Sequence, residues 1–320
     1  MMNDLFIPFY SATYSRKYLT EKYEAKQISQ LKTKSYQVCS SFMYHLQHGQ
    51  LYFNQAINAP IEIKPVLLFY GAVQLLKACI LTVDPNYPEN SQVLAHGVTT
   101  RKRKKSTYRF LDDEVKIQKN GLFSHFLDKM FHMKHLEGEK YHMVTLFHHI
   151  AEMHPLFQRL TNKSLSFKGE LKQKTILLPP NVLDRYHMTV NRFEQYVEAN
   201  TVTDKSIKVK VAETKENVQI TCSHLPPFWN SNPWIYDCDR NIYFFQDREH
   251  LKVYSLPELA THFLLLYNLS MICRYEAEWW GDLIHTFDGV DFPYISHYLH
   301  VVERKIPLII SSFLEEPDSV

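Results

Sequence analysis

The chain has 320 residues, 45% of them apolar and 14% aromatic, enough to build the core of one large or two ordinary domains. Only 8 Gly are present, about a third of the ordinary share of roughly 7%, which argues against glycine-rich nucleotide loops and against an all-β fold of tight turns. A net charge of +2 places no global electrostatic demand for a nucleic-acid or membrane partner.

In chain order, the opening stretch MMNDLFIPFYSATYSRKYL lacks the charged-then-apolar plan of a signal peptide. The five cysteines (Cys39, Cys79, Cys222, Cys238, Cys273) are scattered and form no CxxC pair, so a reducing cytoplasm is the expected location. From Glu21 to about Gln50, apolar residues at three- and four-residue spacing (Ile28, Leu31, Tyr36, Cys39, Phe42, Met43, Leu46) predict one long helix. Asn58-Ala59-Pro60 breaks the chain, and Pro65 suits the first turn of a second helix, Lys64–Val83, which Asp84-Pro85-Asn86-Tyr87-Pro88 stops. These two form an antiparallel hairpin with Leu68, Ala72, Leu75 and Cys79 as its core stripe. Lys64–Val83 is apolar enough to raise the question of a membrane span. Gln74 and Lys77 lie within it, and a central Lys costs about 2.5–3.5 kcal/mol on insertion, so a buried helix and no membrane partner are expected.

Residues 99–121 read as a surface excursion ending in a β-ribbon, and residues 122–163 as short helices. From about 165 to 254 the period becomes two: Thr175–Leu178, Ile207–Val211, Val218–Thr221, Ile242–Phe245 and Leu251–Tyr254 predict strands, with one helix over about Val182–Ala199 and a turn at Asp239-Arg240-Asn241. A capping box at Ser255 and Glu258 opens a helix to about Tyr275, followed by helical patterns at 277–287, 291–304 and 306–315. The predicted fold is α+β and mainly α-helical. A helical segment, 1–163, packs with C-terminal helices, 255–320, around one core, and a β-rich segment with one helix, 164–254, is inserted in or appended to it.

Polar residues on the two most apolar helices mark the candidate site. Tyr70, Gln74 and Lys77 lie at i, i+4, i+7 on the first, and Tyr267, Ser270 and Arg274 at i, i+3, i+7 on the second. With Lys64, His96 and Glu276 they can line a ligand-binding groove. They can equally be the wetter flank of a core, with Lys77 snorkelling and Arg274 paired to Glu276 or Glu278. Arg101, Lys102, Arg103, Lys104 and Lys105 form a basic run able to contact nucleic acid or phosphate, with Tyr108 and Phe110 available to stack on bases, or simply a solvated charged loop. His132 and His135 can share a helix face, but their spacing matches no standard zinc site, and no metal or cofactor is expected. No GxSxG elbow is present and no catalytic residue is assigned.

The strings LLFYGAVQLLKACIL, AHG at 95–97 and above all LSMICRYEAEWW at 269–280 resemble the bacterial YaaC-like family over nearly the whole chain. The resemblance implies a cytoplasmic protein whose helical part is similar to the HEPN superfamily of small helical bundles. Many HEPN proteins are metal-independent RNases, often dimeric, with an Arg-x4–6-His motif. Here no His falls five to seven residues after Arg159, Arg185, Arg192, Arg240, Arg248, Arg274 or Arg304. Genes of the family often lie beside that for IMP dehydrogenase, which implies a link to purine nucleotide metabolism. The expected function is therefore a non-catalytic binding or regulatory protein with a nucleotide, or a protein such as IMP dehydrogenase, as partner. The alternative is a HEPN-like enzyme acting on RNA or a nucleotide phosphodiester, with His96 as acid or base. A homodimer through exposed aromatics is a third expectation.

Overall fold

The computed structural model describes residues 5–100, 108–201, 207–246, 256–285 and 289–316. Its helices are α1 (Ala12–Ala25), α2 (Leu31–Ile57), α3 (Lys64–Val83), α4 (Leu122–Phe131), α5 (Met143–His148), α6 (His154–Thr161), α7 (Val182–Tyr186), α8 (Val190–Asn200), α9 (Glu258–Tyr275), α10 (Ala277–His285) and α11 (Asp291–Glu315). Its strands are β1 (Val98–Thr100), β2 (Glu114–Ile117), β3 (Lys140–His142), β4 (Ser166–Lys172), β5 (Thr175–Leu178), β6 (Val209–Glu213), β7 (Val218–Cys222), β8 (Ile235–Tyr236) and β9 (Ile242–Phe245). Of the described residues, helix (short 3-10 turns included) accounts for 58% and strand for 13%, with two antiparallel sheets, so the fold is α+β and mainly helical. Two compact units divide the chain, one of Met1–Met143 with His262–Val320, the other of Val144–Thr261.

The first unit is organised on the α2–α3 hairpin. Leu68, Phe69, Leu75, Leu76, Cys79 and Ile80 of α3 are essentially closed to solvent, as are Phe42, Leu46 and Phe53 of α2. The helices approach closely because Gly49 and Gly71 offer no side chain at the crossing. A Cβ on Gly49 would stand 2.5 Å from Leu75, and one on Gly71 2.8 Å from Phe53. Although long and apolar enough for a membrane, α3 is two-thirds buried inside the protein, which makes it the core helix of this unit.

Two helix boundaries depart from the sequence pattern. The helix expected from Glu21 to Gln50 is broken between α1 and α2, where Gln27 and Gln30 take left-handed φ of 54° and 56°. Neither position carries a Gly or Pro, so nothing in the pattern marks the break. Conversely, α11 runs unbroken through Pro307. A helix-interior proline costs about 3 kcal/mol, but the buried row Val302, Ile306, Ile309, Ile310 and Leu314 continues through it and offsets that cost.

β1, β2 and β3 form a small antiparallel sheet beside α4, pairing Val98 with Ile117 and Val115 with Tyr141. The turn before it, Ala95–Gly97, caps α4. The Leu122 amide donates to the Ala95 carbonyl at 2.7 Å and the Phe123 amide to the His96 carbonyl at 3.1 Å. Gly97 and Gly121 meet backbone to backbone, at φ 79° and 136°, and a Cβ on Gly121 would lie 2.2 Å from the Gly97 Cα. Gly121→Ala is therefore expected to destabilise this unit by about 3 kcal/mol or more. Urea unfolding of the variant checks this.

The second unit is built on a six-stranded antiparallel sheet ordered β6-β7-β5-β4-β9-β8. The turn predicted at Asp239-Arg240-Asn241 joins β8 to β9. Asp237 Oδ1 accepts from the amides of Asp239 and Asn241, both at 2.9 Å, and Arg240 sits at φ 63°. β4 was not predicted, because its pattern of burial fades after Gly169. The predicted helix 182–199 is two, parted at His187 with φ 50°. The strand expected at Leu251–Tyr254 lies outside the described residues. Histidines here peg segments together: His149 Nδ1 meets Thr261 Oγ1 at 2.7 Å, and His154 bridges Ser166 Oγ and the His148 carbonyl at 2.7 and 2.8 Å.

Candidate functional site

Within the first unit, α3 presents Tyr70, Gln74 and Lys77 along one face, two turns or about 10 Å from end to end. The C-terminal half of α9 brings Tyr267 and Arg274, and the Ala95–Gly97 turn brings His96. These converge on a shared aromatic wall. The His96 ring lies edge-on to Phe69, Tyr267 and Tyr70, at 5.0, 5.7 and 6.4 Å between centroids. Tyr52 of α2 extends the wall, 6.2 Å from Tyr70. Phe69 is fully buried and anchors this wall against Phe263.

Arg274 is half-buried at the edge of the wall. Its Nη1 donates to the Tyr70 hydroxyl at 3.0 Å, its Nε to the Ser270 carbonyl at 3.1 Å, and its guanidinium lies over the Tyr70 ring at 5.6 Å. Among the described residues no carboxylate meets it, so the expected pairing with Glu276 or Glu278 is absent. Glu276 instead uses its backbone to start α10, its carbonyl accepting from the Trp280 amide at 2.8 Å. A cation near the end of α9 is steadied by the helix dipole and by the tyrosine face, so it does not need an acid there.

Lys77 is half-buried as well, and among the described residues its ammonium has neither a hydrogen-bond nor an ion-pair partner. Burial pulls its pKa below the ordinary lysine value. Burial, then the charges of Arg274 and Lys77, push His96 below the ordinary histidine range, so its imidazole is neutral near pH 7. No described residue hydrogen-bonds that imidazole. Tyr267 is only 6% exposed, burial raises its phenol, and its hydroxyl has no hydrogen-bond partner among the described residues. The site is thus rich in unused donors (the Tyr267 and Tyr70 hydroxyls, the Lys77 ammonium, the outer N–H groups of Arg274) and poor in acceptors.

On α2, His45 Nδ1 donates to Gln74 Oε1 at 2.6 Å. Burial lowers the His45 pKa, the Gln74 bond opposes this, and Lys77 and His48 lower it further. Gln74 is therefore held by α2 and links the His45–Lys77 side of the seam to Tyr70. His45, His48, Tyr52 and Phe69 were not among the sequence candidates. A signal for them exists: neither α2 nor α3 contains a single Asp or Glu.

Other candidates are not gathered here. Lys64 Nζ meets Glu303 Oε1 at 2.5 Å and the Ile57 carbonyl at 3.2 Å, tying α3 to α11. Arg101, Lys102, Arg103, Lys104 and Lys105 lie outside the described residues. His132 and His135 share no helix face, because α4 ends at Phe131 and both take left-handed φ. No group of three His, Cys, Asp or Glu converges among the described residues. A separate cavity of about 250 Å³ beside Leu127, Met133 and Leu136 contains none of the groove residues and has the Asp128–Lys134 pair, 3.4 Å apart, in its lining.

The protein is mainly helical α+β, and in its first unit Tyr70, His96, Tyr267 and Arg274 meet at one aromatic wall. The chain belongs to the YaaC-like family, whose model matches residues 7–314. No curated protein and no solved structure matches it.

Proposed function

We propose that this is a non-catalytic cytoplasmic binding protein that captures a nucleotide in the groove of Tyr70, Gln74, Lys77, His96, Tyr267 and Arg274. The observation that carries the reading is the pair of half-buried cations, Arg274 and Lys77, with no carboxylate on either among the described residues, on helices that also carry the unpartnered Tyr267 hydroxyl. Burying charge without a partner is costly, and an anion relieves that cost for both at once. The half-buried Tyr70–Tyr52 pair suits a planar base, since every base has a stacking face. The family's gene neighbourhood supports purine nucleotides, and a partner such as IMP dehydrogenase, as the first to test. Regulation of that partner by the nucleotide-loaded protein follows as the role.

A thermal-shift titration with purine nucleotides tests this. Saturable stabilisation reaches about 2.7 kcal/mol at a hundredfold excess over Kd. The response depends on pH in a fixed sense. A bound phosphate raises the depressed His96 pKa, so binding takes up a proton, and affinity rises as pH falls toward the free imidazole's own depressed range. Without ligand the sign reverses: His96 supports the fold above its unfolded pKa and that support is lost as pH falls below it. Absence of nucleotide stabilisation across that pH span refutes the reading.

A second reading keeps the same residues as a phosphodiester-cleaving centre. It is favoured by one observation: Arg274 and His96 both border Tyr70, close enough for the Arg274 charge to act on the imidazole. A short labelled RNA incubated with excess protein separates the two, since cleavage lost in His96→Ala supports the enzyme.

A further inference from the structure

Resting on the reading of the groove as a nucleotide site, we propose that it selects nucleoside monophosphates over di- and triphosphates. The charge balance points there. Arg274 and Lys77 are the two fixed cations at the wall, and a phosphate monoester near neutral pH carries close to two negative charges. A triphosphate brings more charge than they can meet and arrives with Mg²⁺, which is held by carboxylates and phosphate oxygens. The α2 and α3 walls offer no Asp or Glu over their whole length.

Donor geometry agrees with a single phosphate. Arg274 already spends Nε on the Ser270 carbonyl, one N–H of Nη1 on Tyr70 and one N–H of Nη2 on the Met271 sulfur, which leaves one N–H on each terminal nitrogen for one group of oxygens. Tyr267, a residue only 6% exposed, carries a hydroxyl with no hydrogen-bond partner among the described residues, and its ring packs on His96, so it is an independent donor beside Arg274. His96 stands edge-on to Tyr70 and Tyr267 beside the Arg274 guanidinium, which puts the phosphate on that side and the base over Tyr70 and Tyr52.

Calorimetric titration of the full chain tests the proposal, using AMP, ADP, ATP and GMP, GDP, GTP with and without Mg²⁺, together with guanosine and inorganic phosphate. The expected result is a monophosphate binding at least about tenfold tighter than its triphosphate, unaffected by Mg²⁺, and about 100-fold tighter than the nucleoside. Tyr267→Phe should weaken the monophosphate about tenfold and leave guanosine unchanged. A Mg²⁺–triphosphate that matches or exceeds the monophosphate overturns the selectivity while sparing the nucleotide site. Inorganic phosphate binding as tightly as the monophosphate overturns the role of the base. Silence from every nucleotide overturns the site reading itself.

Discussion

Arg274→Met is expected to lower nucleotide affinity by about 100-fold while leaving the unfolding midpoint nearly unchanged. A charge-assisted hydrogen bond to phosphate is worth about 1.5–3 kcal/mol, and Arg274 keeps N–H groups available directly against the aromatic wall. The protein itself uses this guanidinium lightly: a tyrosine hydroxyl, a carbonyl and the Met271 sulfur, with no acid to orphan among the described residues. Methionine keeps the aliphatic packing on Tyr70 that a shorter side chain would lose. Calorimetry with a nucleotide and thermal melting, run on the same samples, separate the outcomes. Parallel loss of both would make Arg274 a structural residue.

Lys77→Met is expected to give the opposite sign on stability from its sign on binding. The ammonium is half-buried and unpartnered, and burial lowers its pKa, so the folded state holds the proton less tightly than the unfolded state. By linkage the wild-type protein therefore loses some stability at every pH below the ordinary lysine value. Removing the charge should raise stability by less than about 1 kcal/mol, because the group keeps contact with water. The same change should weaken nucleotide binding at least about tenfold. It should also shift the His96 pKa upward in the free protein, since Lys77 is one of the charges that depress it. NMR titration of the His96 ring protons measures that shift. A Lys77→Met protein that is less stable and binds normally would show the ammonium to be ordinary surface charge.

Much of the architecture is legible in the residues because periodicity and burial act locally. The apolar run of α3, the period-two strands around Thr175, Val218 and Ile242, and the long helix ending at Tyr275 all follow from side-chain spacing. What escapes is decided by backbone states with no residue signature. Gln27, Gln30 and His187 occupy left-handed conformations without Gly or Asn, and Pro307 sits inside a helix whose buried face outweighs it. The site divides in the same way. Tyr70, Gln74, Lys77, Tyr267 and Arg274 stand out as polar interruptions of apolar helices, and His96 by its place before a glycine. Lys64 interrupts the same pattern yet serves an ion pair with Glu303, a distinction that only the three-dimensional neighbour makes. His45, His48 and Tyr52 sit on a helix of unremarkable polarity, and their relevance comes from the partner helix they face.

The cap on α4 carries a consequence for how the groove can be read by the rest of the unit. His96 lends its ring to the groove and its carbonyl to the first turn of α4, so one residue belongs to two structures. Under the proposed nucleotide reading, occupancy and the integrity of that turn become one coupled equilibrium: a ligand that steadies the ring steadies the turn, and fraying of the turn releases the ring. Substitutions within α4 that loosen its start should act as remote attenuators of affinity without touching the ligand. Signalling from such a groove needs no hinge, only a helix whose first two amides report the state of one imidazole.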